Sequence, residues 1–408
     1  MELAALAVTV LVIALLALRD LVRVEPWLTM LLGGALMVLL GVITPQEALE
    51  SVNLDVILFL FSLFVFTSAF EVSGFFEYVA AKIANKFRDY RRITVLAFVT
   101  SGLLSAVASN DAIAVSFTPI LLDVARKIKV DEKPFLYAVA FGVTVGSVMT
   151  PIGNPQNALV ALEGGLSNPF VQFLEYLAVP TIINLVVTPY LLIYEFRDYF
   201  VTKGKFDDSI AEVKLRDPFL AYVSLLLLIA STGIAGYLAS TGYDFVLVFL
   251  TASSFLLLLS RRREEVIRGV DFPTLVFFMG LFIFVEGVYK GGVLSALLSL
   301  LPGLNTVFGV MLVSVVLSQV ISNVPLVALL LPIMPKEVPL VIALAAGSTI
   351  AGNFTLLGAA SNVIVSRASE VRGGKKLDYF EFLKKSIPIL AVNFAVYYLF
   401  ISLVGRAL

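Results

Sequence analysis

The sequence predicts an all-α, polytopic membrane protein made of two inverted repeats, and three observations predict it. Hydrophobic residues make up 59% of the 408 and charged residues only 14%, with a mean hydropathy of +0.98, well outside the range of soluble domains. Apolar runs of membrane-spanning length recur along the whole chain. Two long stretches of the chain also match each other residue by residue.

The runs fall at 3–18, 27–43, 55–72, 135–162, 170–194, 219–238, 244–260, 273–288, 339–366 and 387–404. Met1-Glu2 lacks the positive region of a secretory signal, so the first run is expected to be a retained span. Two further segments, 93–125 and 306–334, consist of apolar arms around a polar tip. Arms of about 15 residues reach ~22 Å as helix, against about 30 Å of hydrocarbon. Each pair therefore reads as a re-entrant hairpin, turning on Ser109-Asn110-Asp111 in one case and on Ser322-Asn323-Val324-Pro325 in the other. All but three of the 29 lysines and arginines, the exceptions being Lys290, Lys336 and Arg406, fall in loops that this topology puts on one face. By the positive-inside rule that face is cytoplasmic, which places both termini outside a cytoplasmic membrane. The segment from Phe76 to Phe87, apolar on one side with Lys82, Lys86 and Arg88 on the other, reads as an interfacial helix.

The internal match divides the chain into a first repeat, 1–217, and a second, 218–408. Val52–Gly74 aligns with Val270–Gly292, Ser109-Asn110 with Ser322-Asn323, and Gly153 and Asn157 with Gly358 and Asn362. The spacing between matched residues shrinks from 218 through 213 to 205, as small deletions would give. Each repeat holds five crossings, so the second is upside down relative to the first, an arrangement common in secondary transporters.

After each hairpin comes a long span rich in polar and helix-breaking residues. The first, 135–162, contains Thr150, Pro151, Gly153, Asn154, Pro155, Gln156 and Asn157, and two prolines within five residues interrupt a helix. The second, 339–366, contains Asn353, Thr355, Gly358, Ser361 and Asn362 but no proline there, so its break is expected from the repeat. Single Gly and Ser residues in spans also serve close helix packing. Polar clusters at both tips and both breaks, in repeat register, instead point to a mid-depth site for a small substrate or ion. Its expected members are Ser109, Asn110, Asp111, Thr150, Gly153, Asn154, Gln156, Asn157, Ser322, Asn323, Asn353, Thr355, Gly358, Ser361 and Asn362. Asp111 is the expected coupling residue, because an acid in hydrocarbon must be neutralised, paired or hydrated. Its alternative role is to cap the second hairpin arm. A sodium ion would sit near Asn110, Asp111 and Asn157.

The absences exclude several classes. There is no cysteine and no histidine, which removes disulfides, zinc hydrolases, thiol nucleophiles and Ser-His-Asp chemistry. No phosphate-binding loop is present and no loop could house an ATPase, so a primary pump is excluded and no cofactor or nucleic-acid partner is expected. An enzyme is not expected either, since aspartyl proteolysis needs two facing acids and only one is placed at mid-depth. The residues leave three transport readings: H⁺- or Na⁺-coupled movement of a small anion or oxyacid, Na⁺/H⁺ antiport through Asp111, and a passive anion channel.

At SNDAIAVSFTPIL and TPIGNPQN the chain resembles the superfamily of arsenite permeases, NhaD-type sodium–proton antiporters and citrate-type permeases, nearest the YbiR-type anion permeases. It is more distantly similar to the sodium–dicarboxylate symporters, whose tips carry Ser-Asn-Thr. That resemblance implies substrate or ion contacts for Ser109, Asn110, Ser322 and Asn323, an elevator-like movement and a homodimer. Asp111 and Val324 depart from the Thr of the dicarboxylate pattern, and the Asn-Asp pair at the first tip is closer to the arsenite-permease pattern, which implies proton coupling.

Overall fold

The computed structural model describes residues 2–87, 89–201, 204, 213–241, 244–294, 301 and 303–407. Among them there is helix and no strand, and a helix satisfies its own backbone hydrogen bonds where lipid offers none. The first helices are α1 (Glu2–Ala17), the short α2 (Arg19–Val22), α3 (Pro26–Leu39), α4 (Pro45–Ser51) and α5 (Leu54–Ser73). Proline at the first position of α3 and α4 starts each without losing a hydrogen bond. Thr44 and Glu47 form a reciprocal capping box on α4. The segment expected to be interfacial is α6 (Phe75–Lys86), which buries Phe76, Ala80, Ala81 and Ala84 and exposes Lys82 and Lys86.

The first hairpin is α7 (Tyr90–Ser105) and α8 (Asn110–Ile128), joined by a four-residue turn. The long span that follows is interrupted as its sequence requires. Helix α9 (Lys133–Gly146) passes into a 3₁₀ turn at Ser147–Met149, the chain extends through Thr150 and Asn154, and α10 (Pro155–Glu163) resumes. Then come α11 (Pro169–Phe173) and α12 (Val179–Glu195), joined by a π turn into one helical stretch. These are followed by α13 (Pro218–Ala239), α14 (Val246–Leu259), α15 (Arg263–Arg268) and α16 (Phe272–Lys290). The second hairpin is α17 (Val307–Ile321) and α18 (Asn323–Leu330), turning on Ser322 alone. The second interrupted span runs from α19 (Val338–Ile350) through 3₁₀ turns at 351–353 and 356–358 into α20 (Ala360–Val371), and α21 (Tyr379–Ala407) closes the chain. The second break therefore forms without a proline.

Five of these stretches are long and apolar enough to cross a membrane: Leu54–Ser73, Pro169–Glu195, Pro218–Ala239, Phe272–Lys290 and Tyr379–Arg406. The surface carries large apolar side chains such as Leu226, Ile229, Tyr237 and Leu403, each more than half exposed. Only a hydrocarbon surround makes so apolar a surface stable.

Packing sorts the helices into two groups. Helices α1 and α16 lie on α3, while α13 and α14 lie on α5 and on each other. In the second group α7 packs on α9, α17 on α19, α8 on α20, and α12 and α19 on α21. The α7–α9 contact is very close: a methyl on Gly146 would sit 1.9 Å from the Gly102 carbonyl oxygen. The two hairpins and the two interrupted spans all belong to the second group.

Candidate functional site

A cavity of about 230 Å³ lies where the tips of both hairpins meet both breaks, against α16 and α5. Four helices begin on its wall. Ser109, Asn110 and Asp111 start α8; Asn154, Pro155 and Gln156 start α10; Ser322, Asn323 and Val324 start α18; Ala359, Ala360 and Ser361 start α20. Asn154 caps α10 by accepting the Asn157 N–H at 2.8 Å. The other three starts have no side-chain cap, so no capping side chain takes up their first backbone N–H groups. Ser322 holds φ 69° and ψ 161°, a region that side chains rarely enter. The strain lies at the tip of the second hairpin.

Nine of the fifteen expected residues line this cavity: Ser109, Asn110, Asp111, Asn154, Gln156, Ser322, Asn323, Gly358 and Ser361. Thr150, Gly153, Asn157, Asn353, Thr355 and Asn362 do not. Most of these brace the breaks from behind. The fully buried Asn157 amide lies 3.0 Å from the Ser147 and Thr150 carbonyls, and that of Asn362 lies 2.7 and 3.3 Å from the Gly352 and Thr355 carbonyls. Thr150 donates to the Ala106 carbonyl in the first hairpin turn, and Thr355 donates to Gln319 Oε1 at 2.8 Å in the second hairpin. Gly153 permits the first loop to close, since a methyl there would meet the Ser147 carbonyl oxygen at 2.3 Å. The two breaks also touch: Thr349 donates to Asn157 Oδ1 at 3.2 Å and lies 3.3 Å from the Asn154 amide. Asn110 reaches Ser147 Oγ at 3.3 Å, tying the first tip to the first break.

The two halves differ in how fully they satisfy themselves. Asn110 Oδ1 accepts from Ser105 and Asn157 Oδ1 from Thr349. Their partners in the second half, Asn323 Oδ1 and Asn362 Oδ1, have no hydrogen bond, nor do Ser361 Oγ and both amide atoms of Asn353. Buried polar atoms left open in this way are costly unless a ligand or water fills them.

The charges on the wall are Arg19, Asp111 and Asp271. Arg19, which the sequence places in a loop, instead reaches the second break, its Nη2 donating to the Leu357 carbonyl at 2.6 Å. Asp271 caps α16 by accepting the Thr274 N–H at 3.1 Å and its hydroxyl at 2.6 Å. Asp111 accepts no hydrogen bond and joins no ion pair among the described residues. Sequence reading missed Arg19, Asp271, Thr274 and the aromatic wall of Phe64, Phe277 and Phe278. It also missed Ser147 and Thr349, although Thr349 and Thr144 share the spacing of 205 that paired Asn157 with Asn362.

The family model described as "CitMHS: Citrate transporter" matches residues 9–337. The chain belongs to this citrate transporter family. Among its relatives is the "46 kDa membrane protein" of Mycobacterium leprae, 30% identical over 402 residues that cover 92% of each chain. Another is the "Silicon efflux transporter LSI3" of Oryza sativa subsp. japonica, 26% identical over 82% of this chain and 83% of its own. A third, the "Putative transporter arsB" of Dictyostelium discoideum, is 22% identical over 92% and 87%. The fold is similar to that of the Alcanivorax borkumensis YdaH transporter in its crystal structure, with a TM-score of 0.56, 15% identity and coverage of 88% of this chain and 86% of that one. This member of the citrate transporter family is thus a multi-pass membrane transporter.

Proposed function

We propose that this transporter is a secondary active carrier, moving a small anion or neutral oxyacid across the cytoplasmic membrane with H⁺ or Na⁺, by an elevator-like motion of the hairpins and breaks. The observation that carries this reading is the convergence of four helix starts on one cavity. Each contributes about half a positive charge, and the three without a side-chain cap offer backbone N–H donors, a ready cradle for carboxylate, phosphate or hydroxylated oxyacid groups. On this reading the two matched segments are inverted repeats, the hairpins re-enter the membrane, and the chain ends lie outside. A homodimer follows from the resemblance.

Two carboxylates share the cavity with the anion, and Asp111 has no neutralising partner. An anion next to an ionised, unpaired Asp111 is unfavourable, so a proton or a cation bound there makes room for it. Coupling then follows from electrostatics. The pair Asp111 and Asp271 also supports a second reading, Na⁺/H⁺ antiport, in which the anion plays no part.

The test is counterflow into proteoliposomes, with citrate and other carboxylates, phosphate, sulfate, arsenite and silicate offered against imposed pH and Na⁺ gradients. The expected result is saturable exchange of one of these solutes. Asp111→Asn is expected to keep exchange at equal concentrations and to lose gradient-driven accumulation. Sodium-dependent proton flux with no anion transported would select antiport, and full coupling in the variant would remove Asp111 from the mechanism.

A further inference from the structure

Beside the central cavity lies a second and larger one, about 680 Å³, walled by Arg19, Arg23, Glu25, Pro26, Ala360 and Arg367 together with apolar side chains of α20. Arg19, Pro26 and Ala360 line both cavities, so the two are neighbours across a single layer of residues. Their charges differ in sign. The outer wall holds three guanidiniums and one carboxylate, whereas the central wall holds one guanidinium and two carboxylates.

The arginines are placed rather than scattered. Arg23 ends α2 in the left-handed conformation, φ 55° and ψ 38°, a conformation that is uncommon for a side-chain-bearing residue. Arg367 stands on α20 two turns beyond Ala360, whose helix start carries no side-chain cap. Neither Arg23 nor Arg367 forms an ion pair among the described residues. Arg19 alone is engaged, holding the Leu357 carbonyl at the rim between the two spaces.

We propose that this arginine-walled cavity is a second anion site, an anteroom in which a carboxylate or oxyanion is held before it passes Arg19 into the central cavity. The inference rests on reading the protein as an anion carrier and adds to it a site that the hairpins and breaks do not form. The anteroom concentrates anions by charge and by forked guanidinium hydrogen bonds. The central cavity, poorer in positive charge, binds them by helix ends. Arg19 belongs to both and sets which anions pass.

The test is the thermal stabilisation of the purified full chain by citrate, at constant ionic strength set with chloride, in phosphatidylcholine nanodiscs. Wild type is expected to be stabilised. The double variant Arg23→Gln/Arg367→Gln is expected to need about tenfold more citrate for the same effect, and Arg23→Lys/Arg367→Lys to recover part of it. Arg367→Gln alone, at an exposed position, serves if the double variant does not fold, with a smaller shift in the same direction. Citrate dependence within twofold of wild type in the glutamine variants would overturn the proposal. In phosphatidylglycerol nanodiscs the citrate effect is expected to persist. Its loss there, with phosphatidylglycerol retained by wild type and released by the glutamine variants, would make the cavity a headgroup site and overturn the anteroom. Counterflow reports on the carrier reading independently of either result.

Discussion

Asn157 shows what one side chain does in this fold. Its amide is fully buried and lies within 3.0 to 3.3 Å of three carbonyls, Ser147, Val148 and Thr150, where the helix is interrupted; Ser147 and Thr150 otherwise have only long contacts of 3.4 Å, from the Asn154 amide and the Gly153 N–H. Truncation to alanine removes the shortest partner of two of those carbonyls, and a buried group left unpaired costs about 1–3 kcal/mol. Asn157→Ala is therefore expected to lower the thermal midpoint of the purified protein clearly, whereas Ser109→Ala at the cavity wall changes it little. Equal midpoints for the two variants would show that the brace is dispensable. Polar residues at a break are legible in sequence, because little else in this chain interrupts an apolar run. Which of them faces the cavity and which props the break is not legible, since that depends on where the neighbouring hairpin sits. Arg19 was hidden for a related reason: a cation at a helix end reads as topology until the fold brings Leu357 beside it.

At the scale of elements, the interrupted spans and the hairpin arms were readable from proline, glycine and arm length. The second break was readable mainly through its likeness to the first, and it forms with two 3₁₀ turns and no proline, where the first joins one 3₁₀ turn to Pro151 and Pro155. Contacts between elements depend on distant partners, and α4 illustrates how one is held. Glu47 closes the capping box with Thr44 and also pairs with Lys290 at the end of α16, at 2.9 Å. The Thr44 backbone N–H, the Lys290 ammonium and the Thr44 hydroxyl hold its carboxyl down, from the ordinary 4.5 to about 2. A lowered folded-state value stabilises above the unfolded value and is lost on acidification. The stability difference between wild type and Glu47→Gln is thus expected to be full above about pH 4.5 and to shrink as pH falls toward about 2. Thermal midpoints across that range would show it, and a difference independent of pH would contradict it.

Over the whole molecule, the composition dictated a membrane protein, and the packing adds what composition could not show. One group of helices gathers around α3 and α5, the other around the hairpins and interrupted spans, and the cavity lies on the seam where α16 and α5 face the tips. A carrier requires that seam to open alternately to the two sides of the membrane. The chain contains no cysteine, so one introduced thiol reports without background. The decisive measurement places it at Val324, on the cavity wall at the tip of the second hairpin. Val324→Cys protein in proteoliposomes is treated with a charged, impermeant thiol reagent, added to one side at a time. The account predicts modification from either side, slowed by the anion that counterflow selects. Modification that no transported solute slows, or that occurs from one side under every condition, would contradict it.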